Sequence, residues 1–163
     1  MSRKTGLRRG EGSIRLVLDA DSIYAPFREE ELTDSSGVRL LLRESPHHPE
    51  PLMGIRFPAN WSNEACWSWA IDNAGSEVAA VMPAPVWKIG QAIAILGWEP
   101  CGERAETVIL PSSVHATLET VGDLVALRSL HFPVSGPEGF TKARQWVRSR
   151  GLEGATSRMR SAA

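Results

Sequence analysis

The chain reads as an α+β protein, with a mixed α/β arrangement as the near alternative. The expected unit is a single domain with one sheet of about four to six strands packed by three or four helices. Three features point there. Short apolar runs recur along the chain and stop at Gly, Pro, Asn or Asp. Longer stretches between them repeat their apolar residues at helical spacing. Capping residues stand where those stretches begin and end. The 163 residues suffice for one core, and the 42% apolar and 23% charged content is that of an ordinary globular protein.

Residues 1–12 hold Gly6, Gly10 and Gly12 among bases and are expected as a basic flexible arm. Residues 14–18 form a short apolar run ending at Asp19, a buried strand. Residues 28–32 read as one acidic helical turn or a loop. Asp34-Ser35-Ser36-Gly37 signals a turn, after which residues 38–43 read as a strand. Residues 45–51, with three prolines and two histidines, must be loop. Residues 53–57 are the next strand, closed by Pro58.

Asn60 or Ser62 can cap a helix running to about Asn73, with Gly75 as its stop. Ala65, Cys66, Trp67, Trp69, Ala70 and Ile71 give it a wide apolar arc, so it should be largely buried. Residues 77–82 follow as a strand. Pro83 and Pro85 then open a helix over 86–96, where Ile89, Ala92, Ile93 and Leu96 share one face; a strand there is the weaker reading. Residues 107–110 are a strand. Ser112 or Ser113 caps a further helix with Val114, Leu118, Val121 and Val125 on one side, although Gly122 interrupts it and residues 124–131 also suit a strand. Pro137 opens a last helix to about Arg150, closed by Gly151. Residues 13–151 thus make the domain, and 152–163 a second basic flexible tail.

Charge is distributed unevenly. Residues 1–11 carry Arg3, Lys4, Arg8 and Arg9 against Glu11, and residues 138–163 carry Lys142, Arg144, Arg148, Arg150, Arg158 and Arg160 against Glu138 and Glu153. The stretch between holds eight bases and sixteen acids, so a total of −1 conceals two basic ends on an acidic body. Distribution of this kind decides partners more than net charge does. Arg148 and Arg150 complement a helix C-terminus; Arg144 beside Arg148, and Arg158 with Arg160, are not accounted for that way.

Other constellations are weaker. Leu16-Val17-Leu18-Asp19-Ala20-Asp21 sets two carboxylates at a strand end, where magnesium could be held. This string is similar to the nucleophile strand of haloacid-dehalogenase-type phosphatases and to the first acidic strand of PIN-type nucleases. The resemblance implies a magnesium-dependent phosphoester hydrolase using Asp19 and Asp21. The later acidic motif of the phosphatases is incomplete: Gly122-Asp123 is present, but Leu127 stands where an acid is required. His47 and His48 are adjacent, which suits a zinc site poorly. Cys66 and Cys101 lack paired spacing and fit a reducing cytoplasm. Six tryptophans against one tyrosine are expected mainly in the core, with Trp61 and Trp98 the more exposed. No apolar run is long enough to span a membrane.

The expected function is non-catalytic binding: a cytoplasmic accessory protein that contacts nucleic acid or a nucleoprotein assembly. The contacts would come from Arg144, Arg148, Arg150, Arg158 and Arg160, with Arg8 and Arg9 from the arm. An acidic protein surface is the competing partner. No cofactor and no metal are expected, except magnesium under the hydrolase reading. A third reading is a protein–protein adaptor or assembly subunit, which includes a homo-oligomer.

Overall fold

The computed structural model of the chain describes residues 6–18, 26–32, 36–44, 52–81, 86–88, 93–97, 105–134 and 136–152. Strands β1 (Gly6–Arg9), β2 (Ser13–Val17), β3 (Phe27–Glu31), β4 (Arg39–Arg43) and β5 (Leu52–Pro58) precede helix α1 (Asn63–Val81). Strands β6 (Val86–Lys88), β7 (Ile93–Gly97), β8 (Ala105–Ile109), β9 (His115–Val121) and β10 (Leu124–Pro133) precede helix α2 (Gly136–Ser149).

All described strand pairings are antiparallel. Eight strands lie side by side in the order β3-β4-β5-β2-β1-β10-β7-β6, while β9 follows β10 and β8 follows β9. The long β10 makes this branching. Leu124 and Val125 pair with β1, residues 129–133 pair with β7, and β9 runs along the other edge. The register with β9 shifts between Leu127 and Ser129, a bulge at Arg128 where β1 gives way to β7.

This corrects the expected architecture. Instead of four to six strands under three or four helices, a largely antiparallel sheet of ten strands carries two α-helices among the described residues. Residues 86–88 and 93–97, expected within a helix, are β6 and β7. Their β-branched and aromatic residues suit a strand, and the second half of β10 offers an edge to pair. Residues 115–133, expected to begin as a helix, form a hairpin. Gly122 has φ +63° and, with Asp123, makes a two-residue turn whose first central residue must be left-handed. Alternation then buries Ala116 and Leu118 on one side of β9, a pattern that shared enough positions with a helical stripe to mimic one. Conversely, residues 77–81, expected as a strand, continue α1 past a break at Ala74 (φ −140°, ψ 37°), with Ala74 and Val78 both buried at helical spacing. Residues 28–31 belong to the exposed strand β3 rather than a turn of helix. Residues 6–9, expected in the flexible arm, are an inner strand between β2 and β10, with Leu7 fully buried.

Both helices cover one face of the sheet. Leu7, Ile14, Leu16, Ile55, Phe57 and Leu130 point to it and pack with Cys66, Trp67, Ala70 and Ile71 of α1 and Ala143 and Val147 of α2. Each of the leucine, isoleucine, valine and phenylalanine side chains among them contributes about 1.5–3 kcal/mol on burial. The α1 cap is Ser62, whose Oγ accepts the Ala65 N–H at 3.0 Å. At the end of α2, Gly151 takes φ +73°. Its N–H donates to the Arg148 carbonyl and the Leu152 N–H to the Val147 carbonyl, each at 3.1 Å. This pair of bonds satisfies the last carbonyls, and buried Leu152 joins buried Val147 in the core as the accompanying apolar contact.

Candidate functional site

Strand alternation places one residue in two on the face opposite the helices. On β1, β2, β5 and β4 that face holds Arg8, Arg15, Arg56 and Arg39. The strand registers put these residues directly opposite one another: Arg8 with Arg15, Arg15 with Arg56, and Arg56 with Arg39. The row ends at Glu31 on β3. Like charges placed opposite across strands oppose pairing by roughly 0.2–1 kcal/mol each. Three successive Arg–Arg pairs are therefore a cost that the sheet must offset.

The offset is incomplete and lies towards the two ends of the row. Glu29 of β3 spreads its two carboxylate oxygens over Arg56 (2.8 Å) and Arg39 (3.4 Å). Asp123, in the hairpin turn, takes Arg8 at 2.9 Å. Arg56 also donates to Ser13 Oγ at 3.2 Å. Arg15, in the middle, has no carboxylate within ion-pair distance among the described residues. Its Nε is buried without a hydrogen-bond partner, and its guanidinium lies 5.3 Å from the centroid of the Phe27 ring. Burial lowers its pKa from the usual arginine value, and the neighbouring Arg56 and Arg8 charges lower it further; Glu29 opposes them.

The face is concave. Phe27 on β3 lies three strands from Arg15 in the sheet order, about 14 Å across a flat sheet at the usual strand spacing. The ring nevertheless reaches Arg15, and Glu29 crosses two strand intervals to reach Arg56. The β3 edge therefore curls over the row. Below the arginines the neighbouring register line runs Gly6, Val17, Gly54, Leu41 and Glu29. Val17 and Leu41 are buried on this side of the sheet and stand apart from the main core cluster, with the Leu41 side chain packed against Gly54.

Sequence reasoning found one member of this row, Arg8. It missed Arg15, Arg39 and Arg56 because they lie in the stretch counted as the acidic body. The local signal was there: Ile14-Arg15-Leu16, Val38-Arg39-Leu40 and Ile55-Arg56-Phe57 each set an arginine between two apolar residues in or beside a strand. Such triplets state that the arginines share the face away from the core, although they do not state the register.

The other expected site residues sit elsewhere. Arg9 alternates to the helix side of β1, where it donates to the Trp61 carbonyl (3.1 Å) and to Asn63 Oδ1 (2.9 Å) at the start of α1. Arg144 and Arg148 are exposed on α2. Since α2 packs on the helix face, they and the arginine row lie on opposite sides of the sheet. Arg150 is tied to Asp72 of α1 at 2.7 Å and stacks over the Trp146 ring at 4.0 Å. It also donates to the Trp146 carbonyl at 3.2 Å. Arg158, Arg160, Asp19, Asp21, His47, His48, Cys101 and Trp98 lie outside the described residues.

Trp67 is buried and donates through Nε1 to the Val125 carbonyl at 3.3 Å. Trp61 and Trp69 pack on Phe57 with ring centroids 5.4 and 5.9 Å away. Cys66 is buried and free, and burial pushes its thiol pKa up to about 11, which makes it a poor nucleophile. No group of three His, Cys, Asp or Glu residues able to hold a metal occurs among the described residues, and no described helix is long and apolar enough to cross a membrane. Comparisons with protein-family models, with curated proteins and with solved structures find no match to this chain.

Proposed function

We propose that the protein is a non-catalytic binding protein that engages nucleic acid through the arginine face of its sheet. The observation that carries the reading is the in-register row of Arg8, Arg15, Arg56 and Arg39, with Arg15 inside it lacking a carboxylate among the described residues. A row of like charges costs stability unless something anionic completes it, and phosphates do so while releasing their own counterions. Phosphate contacts position a ligand without reading its sequence, so weak sequence preference is expected. The natural setting is the cytoplasm. Arg144 and Arg148, on the other side of the sheet, would be a separate and smaller contact.

A gel-shift or anisotropy titration across salt concentrations tests this. With about four phosphates engaged, the logarithm of affinity should fall against log salt with a slope of about −3. Arg15→Met should weaken binding and flatten the slope by about 0.7. Salt-independent binding, or affinity untouched by Arg15→Met, contradicts the reading.

A further inference from the structure

Resting on the nucleic-acid reading, we infer that the ligand of the arginine face is a single strand, with phosphates on the Arg8–Arg15–Arg56–Arg39 row and a base on the Phe27 ring. Three observations carry this.

The first is shape. Proteins read a duplex by inserting a protruding helix or ribbon into a groove, or by lying along its outside. The arginine row is neither a helix nor a protruding ribbon, and at its β3 side Phe27 meets Arg15 and Glu29 meets Arg56. A ligand on the row therefore meets the Phe27 ring as well as the guanidinium groups.

The second is span. Four residues in register across β1, β2, β5 and β4 cover three strand intervals, about 14 Å. That is a short run of one backbone, crossing the strands rather than following them.

The third is the aromatic. Phe27 is the ring at the row, half-buried on the exposed strand β3, with a guanidinium already on its face. A ring beside a charged row is the pairing that single-strand binders use, since every base has a π-face. When phosphate draws Arg15 into the row, the Phe27 face becomes free for a base.

The experiment compares three labelled probes at one low salt concentration: an oligothymidylate of about twelve nucleotides, a duplex of the same length, and heparin as a polyanion without bases. Each is titrated with the wild-type chain and with Phe27→Leu, which keeps apolar bulk at an edge position and removes the ring. Circular dichroism confirms that both fold. The expected result is at least about tenfold tighter binding of the single strand than of the duplex. Phe27→Leu should lose about tenfold for the single strand and nothing for heparin. Equal affinity for single strand and duplex, or equal loss on all three probes, overturns the single-strand inference and leaves nucleic-acid binding standing. Binding of none of the probes overturns both.

Discussion

Arg150 and Arg15 are the same side chain in opposite circumstances. Arg150 closes a helix, holds Asp72 on the neighbouring helix at 2.7 Å and lies on the Trp146 ring. Arg15 sits in the middle of a sheet between two other arginines, with a buried Nε that has no hydrogen-bond partner among the described residues. The first belongs to a segment rich in bases, the second to a segment rich in acids. In space the order reverses: the base-rich segment spends Arg150 on its own fold, and the acid-rich segment supplies three of the four residues of an arginine face. A sheet sorts charge by parity along each strand, so the net charge of a segment says little about the surface it builds.

The contrast can be broken by mutation. The largest stability effect is expected at Arg150. Arg150→Ala removes the Asp72 pair, the stack on Trp146 and a bond to the last turn, and should cost about 1–2 kcal/mol. Thermal denaturation would register this as a lower midpoint, with nucleic-acid affinity unchanged. Lost affinity in a folded Arg150→Ala chain would mean that the residue faces the ligand after all.

Glu29→Gln tests the opposite end of the comparison. It frees Arg56 and Arg39, so affinity at low salt should rise roughly threefold and the gain should vanish at high salt. A fall in affinity would show that Glu29 positions the row rather than competing for it. Arg144→Ala with Arg148→Ala should do less, changing affinity by under about twofold, because single exposed charges away from the contact act through a screened field. An effect as large as that of Arg15→Met would move the interface to α2.

The smallest effect concerns pH. The Cys66 thiol titrates near 9 when unfolded and at about 11 in the fold, because burial disfavours the thiolate. The folded state therefore holds that proton more tightly. Stability present below about pH 9 should decline as pH rises towards 11, and Cys66→Ala should lack that decline. Chemical denaturation of both chains across this window checks it.

Single elements were legible locally, although their number and arrangement were not. The strands now called β2, β4, β5 and β8, the Ser62 cap of α1 and the Gly151 stop of α2 all followed from runs of apolar residues and their boundaries. Residues 86–97 and 114–125 did not, because spacings such as 114, 118, 121 and 125 satisfy a helix while 116 and 118 alternate as a strand. Only an available edge on β10 settles such a segment, and that edge is a non-local fact. The arginine face was half legible. The triplets around Arg15, Arg39 and Arg56 fix which side each residue takes. That Arg15 lies opposite both Arg8 and Arg56 depends on pairings between residues up to about forty positions apart.

The central claim is that Arg15 is kept for a ligand and against stability. Arg15→Met tests it on one sample, because methionine keeps an unbranched stem and a favourable contact with Phe27 while removing the charge. Relief of two like-charge pairs should raise the thermal midpoint by a few degrees, at roughly 0.2–1 kcal/mol for each pair. Affinity for single-stranded nucleic acid should fall at least about tenfold in the same preparation. A lower midpoint with unchanged affinity would make Arg15 an ordinary structural residue and contradict the account.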